Sequence, residues 1–227
     1  MEKNIGLTRE QLEAGSWGAE IARDAPTVVL WTDEERAESI AATLAARPAG
    51  DVWVFAYGSL IWNPTFKFEE SRVAIIDNWH RSFCLSVSAG RGTVEAPGLV
   101  LGLDRGGSCS GVAFRVAEKD LETELAVLWK REMITGAYAP RWIEIADADG
   151  KPFGSAIAFT IDHESPNYAG NLEREVVISR LATASGFLGT SADYLFQTAE
   201  GLRTRGVLDD ELDALAIAVK QSMAALA

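Results

Sequence analysis

The sequence predicts an α+β protein in which a mixed sheet curls towards a small barrel flanked by helices, and three observations carry that reading. Short β-rich runs crowd the middle of the chain, helical periodicity dominates both ends, and the regular βαβ alternation of a doubly wound sheet is missing. The length of 227 residues favours one domain of ordinary size with an added terminal segment. A content of 48% hydrophobic and 24% charged residues is that of a folded globular chain, which excludes disordered and collagenous classes.

Taken in order, residues 1–50 read as a helical N-terminal extension and 51–227 as the main domain with C-terminal helices. Thr8 with Gln11, and Thr32 with Glu35, have capping-box spacing, while Ile40, Leu44 and nearby alanines give one helix an apolar stripe. Pro48-Ala49-Gly50 stops it. From Asp51 the pattern changes to strands at 52–57, 72–76, 82–87, 99–103, 112–116, 142–145 and 156–161. Glycine-rich turns at 89–92 and Gly106-Gly107 separate several of them. One long helix at 118–133 interrupts the strands, and helices near 174–184, 192–203 and 209–225 follow. No internal repeat and no linker marks a second domain.

Lys and Arg total 21 against 33 Asp and Glu, a formal net charge of -12. Such a field repels phosphate backbones and anionic lipid, so a small-molecule partner is expected, with no nucleic acid and no membrane. Cys84 and Cys109 fall inside apolar strands, where a thiol behaves as a small hydrophobe and one possible pair makes no disulfide framework. With no charged-then-apolar leader at Met1 and no apolar run of about 18 residues, the expected address is cytoplasmic. Dinucleotide, P-loop and zincin motifs are missing and only His80 and His163 are present, so neither a cofactor nor a metal is expected.

Gly107-Ser108-Cys109-Ser110-Gly111 has the outline of a nucleophile elbow, but the residues after it alternate like a strand where an elbow needs a helix. Tyr57-Gly58-Ser59-Leu60 ends the first apolar strand. Small residues there either make an ordinary tight turn or let backbone N–H groups approach an anionic ligand. Leu121, Leu125, Leu128 and Glu132 share one helical stripe, which either aims a carboxylate into the core or leaves it on a fraying last turn. In the first case burial raises its pKa towards that of a general base, and Lys130 and Arg131 lie on other faces, so their neutralising it cannot simply be assumed. Tyr138 and Tyr168 read as loop aromatics that either line a pocket or pack half-buried. Arg91 either reaches an anionic substrate or is a solvated turn charge.

In this order these residues resemble the ChaC-type γ-glutamylcyclotransferases, particularly their bacterial branch. The resemblance runs through Phe55-Ala56-Tyr57-Gly58-Ser59-Leu60-Ile61-Trp62-Asn63-Pro64, Gly111-Val112-Ala113-Phe114-Arg115 and Leu128-Trp129-Lys130-Arg131-Glu132. It continues in Gly136-Ala137-Tyr138, Pro166-Asn167-Tyr168 and Gly186-Phe187-Leu188-Gly189-Thr190, and covers about residues 51–220. It implies a γ-glutamylcyclotransferase-like barrel and cleavage of glutathione into 5-oxoproline and Cys-Gly. It further implies Glu132 as the catalytic acid and base, and a substrate cradle at Tyr57, Gly58, Ser59 and Leu60. Tyr138 and Tyr168 match tyrosines near the family's pocket. Leu60 is the residue of the ChaC branch, where broader members have asparagine, and this favours glutathione as substrate.

The chemistry of such a substrate is economical. A γ-glutamyl amide carries its own nucleophile, because its α-amine can close on the side-chain carbonyl to form a five-membered lactam. One carboxylate suffices to move the proton, without metal, cofactor or covalent intermediate. A broader γ-glutamyl-amine cyclotransferase, a hydrolase or acyltransferase using Ser59 or Cys109, and a non-enzymatic small-molecule sensor stand as alternatives; the hydrolase or acyltransferase shows no His-Asp relay in the sequence.

Overall fold

The computed structural model describes residues 6–226, so residues 1–5 of the expected extension and residue 227 of the expected main domain lie outside the described residues. Three helices open the chain: α1 (Arg9–Glu13), α2 (Ser16–Asp24) and α3 (Asp33–Ala45). Both capping boxes form. Thr8 and Thr32 accept from the amides of Gln11 and Glu35, whose side chains accept in return from the cap amides.

Five strands close a barrel: β1 (Val52–Ala56), β2 (Glu70–Val87), β3 (Gly98–Val116), β4 (Tyr138–Ala146) and β5 (Pro152–Ile161), in the order β1-β3-β2-β4-β5. Neighbours in that order are antiparallel, and β5 returns to β1 in parallel through Trp53↔Ala156 and Val54↔Ile157. All of β1 is buried, as expected of a strand with structure on both faces. Between β3 and β4 lies α4 (Leu121–Glu132); after β5 come α5 (Arg174–Thr183), the two-residue strands β6 (Ser185–Gly186) and β7 (Gly189–Thr190), α6 (Ser191–Thr204) and α7 (Asp210–Leu226).

The sequence divides β2 and β3 into four short strands; the structure corrects this to one long bent hairpin. Asp77 pairs with Ser108 and Trp79 with Arg105, so Asn78 faces Gly106-Gly107 at a register shift. Asn78, Gly106 and Gly107 have φ of 66°, 93° and 67°, left-handed values that bulge both strands at one level and bend the ribbon without ending it. The expected turn at Gly106-Gly107 is therefore a kink inside β3. Tyr138, read as a loop residue, begins β4.

Trp129, Phe55, Phe114 and Phe159 are among the largest fully buried side chains, each contributing on the order of 2–3 kcal/mol by its burial. Trp129 packs edge-on to Phe159 at 5.1 Å and donates its indole N–H to Ser39 Oγ at 3.0 Å, which fixes α4 between the barrel and α3. Leu121, Leu125 and Leu128 are buried on the stripe read from the sequence, and this sets the rotation of α4 that delivers its last residue inward. Among the described residues no helix is long and apolar enough to cross a membrane.

Candidate active site

Strand β1 hands over directly to the candidate cradle. Tyr57 turns its ring into the core and donates its hydroxyl to Phe159 O at 2.7 Å, and Leu60 is likewise a core side chain. Of residues 57–60, Ser59 lines the cavity, whereas the Tyr57 and Leu60 side chains do not. At Gly58 a Cβ would stand 2.8 Å from Tyr194 Oη, so α6 approaches the strand end as closely as only glycine allows. A 3₁₀ turn follows at Ser59–Ile61, and its opening amides, those of Ser59 and Leu60, have no carbonyl partner within the turn.

Glu132 ends α4 and its side chain is 13% exposed, so it lies inside the protein and not on a frayed solvent turn. Burial raises its pKa above the ordinary 4.5, against the pull of Arg131. The expectation that Arg131 would face elsewhere is corrected. Its Nε lies 3.0 Å from Glu132 Oε1, Nη2 donates to Ser59 Oγ at 2.9 Å, and Nη1 donates to Asn63 O and to Thr65 Oγ1. Adjacent Cβ atoms diverge on a helix, but a long guanidinium held by the cradle loop folds back across the helix end. Among the described residues the Glu132 side chain has no other hydrogen-bond or ion-pair partner.

Around this pair lie Tyr138, whose hydroxyl donates to Leu101 O at 2.7 Å, and Tyr194 of α6. Burial pushes both phenols up, Tyr138 well above 10.0, and the nearby Glu132 carboxylate pushes the same way. Both therefore remain protonated at neutral pH. Arg91 is 5% exposed, which overturns the solvated-charge alternative. Its guanidinium is 6.0 Å from the Tyr194 ring centre, Nη1 donates to Thr190 O at 3.3 Å, and burial lowers its pKa. A cavity of about 190 Å³ joins Ser59, Asn63, Arg91, Arg131, Glu132, Tyr138 and Tyr194.

Tyr168 is not brought to this cavity. Its hydroxyl donates to Asp104 Oδ2 at 2.8 Å, His163 Nε2 meets Oδ1 at 2.6 Å, and burial and then the carboxylate raise Tyr168 to about 12. The cluster pins the loop whose Asn167 does line the cavity and accepts from Ser86 N at 2.9 Å. Cys84 and Cys109 are free and buried, and burial pushes the Cys84 thiol to about 12 and raises that of Cys109. His80 contacts Gly106 O and His163 contacts Asp104, so neither histidine serves Ser59 or Cys109. Among the described residues no three His, Cys, Asp or Glu side chains are grouped as metal ligands.

A family model described as ChaC-like protein matches residues 52–222. The chain belongs to the ChaC-like family. This ChaC-like chain is 48% identical over 197 residues to the glutathione-specific γ-glutamylcyclotransferase of Escherichia coli (strain K12), covering 86% of this chain and 85% of that one. It is 31% identical over 174 residues to the mouse (Mus musculus) glutathione-specific γ-glutamylcyclotransferase 1, covering 74% and 78%. A yeast γ-glutamyl cyclotransferase specific to glutathione, known as a crystal structure, has the same fold: TM-score 0.68 at 18% identity, over 76% of this chain and 97% of that one. The γ-glutamylcyclotransferase-like barrel expected from the motifs is the fold of this ChaC-like protein.

Sequence reading missed Tyr194, Asn63 and Trp17 as cavity residues and Arg131 as the partner of Glu132. Only Arg131 carried a signal, through its place beside Glu132 at the end of an apolar stripe. Tyr194 reaches the site by tertiary approach at Gly58, which has no local pattern.

Proposed function

We propose that this ChaC-like protein is an enzyme that cleaves glutathione by cyclisation, releasing 5-oxoproline and Cys-Gly, with Glu132 moving the proton. The observation that carries this reading is a buried, pKa-raised carboxylate in a cavity beside the 57–60 cradle. A carboxylate of raised pKa is suited to take a proton from an ammonium group and give it back within one turnover.

Glu132 takes a proton from the substrate's α-ammonium, and the freed amine attacks the γ-carbonyl carbon to form the lactam C–N bond. The amides opening the turn at Ser59 receive the developing oxyanion. Protonated Glu132 delivers its proton to the leaving nitrogen as the original C–N bond breaks, and the attacking nitrogen's second surplus proton follows by the same route. Both protons lost by the ammonium thus end on the amine of Cys-Gly. Arg91 holds a substrate carboxylate, Tyr138 and Tyr194 orient as neutral phenols, and Tyr57, Gly58 and Leu60 fix the cradle's backbone. Tyr168 acts at a distance by pinning the Asn167 loop. The two unpaired thiols suit the reducing cytoplasm, where we place this activity.

Incubating the purified protein with glutathione in ¹⁸O-water tests the reading by mass spectrometry. The expected products are Cys-Gly and 5-oxoproline without enzyme-introduced label. Glutamate labelled in its γ-carboxylate as first product would assign the attack to water and overturn cyclisation.

A further inference from the structure

The cavity has a wall outside the stretch matched by the family model, which begins at residue 52. Trp17 and Ile21 of α2, with Leu7 before α1 and Val28 after α2, line the cavity from the N-terminal segment. This segment is strapped across the site by anchors on either side of Glu132. On one side Arg9 Nη2 donates to Glu124 Oε1 of α4 at 3.1 Å, Asn63 Nδ2 donates to Leu7 O at 2.8 Å, and Leu7 and Leu12 pack with Val127. On the other, Trp31 N donates to Ile134 O at 2.9 Å, two residues beyond Glu132. Between the anchors α2 carries Trp17, whose ring packs on Phe187 at 5.6 Å and whose outer edge lies against Gly90, next to Arg91.

The indole N–H of Trp17 is buried and has no acceptor among the described residues. An unmade hydrogen bond of that kind costs about 1–3 kcal/mol, so the side chain is held there by its ring and not by a bond of its own. Ser59 and Glu132 line the same cavity as Trp17 and Arg91, and on the cyclotransferase reading they hold the γ-glutamyl group. Whatever follows the scissile amide is therefore left the cavity's other lining residues, Trp17 and Arg91 among them.

We infer that Trp17 is a specificity-determining residue whose ring contacts the Cys-Gly half of glutathione, so that residues 6–31 are part of the substrate site; this rests on the cyclotransferase reading. A flat apolar surface suits the cysteinyl side chain, and Arg91 beside it suits a carboxylate.

Steady-state kinetics on Trp17→Ala and Trp17→Phe, with thermal melts of both, test this. Trp17→Ala raises KM for glutathione about tenfold and more than it lowers kcat, and Phe restores most of the KM because it retains a ring. As a second readout, glutathione added to Glu132→Gln, which binds while turning over far more slowly, quenches tryptophan fluorescence saturably, and the quench shrinks in Glu132→Gln/Trp17→Phe. An unchanged KM overturns the inference, as does a loss confined to kcat or an identical quench with and without Trp17. If wild-type protein forms no 5-oxoproline, the cyclotransferase reading itself fails, a result distinct from those three.

Discussion

Two arginines with buried side chains grip the 57–65 segment, one at its start and one further along it, and only one of them belongs to the candidate active site. Arg81 donates to Tyr57 O at 2.7 Å, to Ser110 O at 2.6 Å and to Asp209 Oδ2 at 2.6 Å; Arg131 holds Ser59, Asn63 and Thr65 and pairs with Glu132. The cavity beside Arg81 is the larger, about 440 Å³ against about 190 Å³. Size and a buried ion pair therefore do not mark the site. The carboxylates differ in what they have left to do. Asp209 spends one oxygen on Arg81 and the other on the amide of Leu212 at 2.9 Å, at the N-terminal end of α7 where a helix favours negative charge. Glu132 sits at the C-terminal end of α4, where the dipole disfavours it, and keeps bonding capacity for a substrate.

The sharpest way to break this comparison is to remove each carboxylate's charge in turn. Glu132→Gln retains shape but cannot accept a proton, so kcat falls by about 10² or more while circular dichroism and melting remain close to wild type. Asp209→Asn shows its effect chiefly as a lower melting temperature. The pH profile sharpens the same point. A base works deprotonated, so the rate falls as pH drops through the pKa of Glu132, and with that pKa raised the acid limb lies above 4.5. Arg131→Met removes the charge that opposes burial and moves the limb to still higher pH. A wild-type limb at or below 4.5 would count against Glu132 as the base.

The next effect lies where the loop meets α6. Gly58→Ala puts a methyl group 2.8 Å from Tyr194 Oη, a separation that forces the strand end or the tyrosine to move. A shift of that kind in the cradle lowers kcat/KM by about tenfold to a hundredfold and costs about 1–3 kcal/mol of stability. Adding Tyr194→Phe removes the clashing hydroxyl and restores the melting temperature, though not all of the activity. A double variant no more stable than Gly58→Ala would show that the glycine is required for some other contact.

How much of this was legible depends on whether the cause was local. The capping boxes at Thr8 and Thr32 and the stripe from Leu121 to Glu132 form as read, because each is set by neighbours within a turn or along one helix. The division of β2 and β3 failed because Gly106-Gly107 carries the same left-handed signal whether a strand ends or bends. In the site, the position of Glu132 followed from periodicity, whereas its pairing with Arg131 depends on Ser59, 72 residues away along the chain, holding the guanidinium. Trp17 and Tyr194 arrive from the two ends of the chain, and no spacing rule links them to the cradle.

The smallest expected effect separates the two cavities by nucleophile. Cys109 lines the larger cavity, and its motif has the outline of an elbow, so a hydrolase or acyltransferase built there would need its thiolate. The structure places Cys109 inside β3, 3% exposed, with burial raising the thiol and neither histidine in contact. Those conditions suppress the thiolate. Cys109→Ala should therefore keep kcat within about twofold of wild type and lose on the order of 1 kcal/mol of stability, the ordinary result of trimming a buried side chain. Ser59→Ala differs in degree, since it removes the acceptor that holds Arg131 and so lowers turnover, yet no acyl adduct should be trapped on Ser59 in the wild type. Kinetics and a melt for each variant suffice. A folded Cys109→Ala protein without turnover, or an acylated Ser59 peptide, would move the chemistry from the substrate's own amine to a protein nucleophile, and Glu132 would lose the role its position supports.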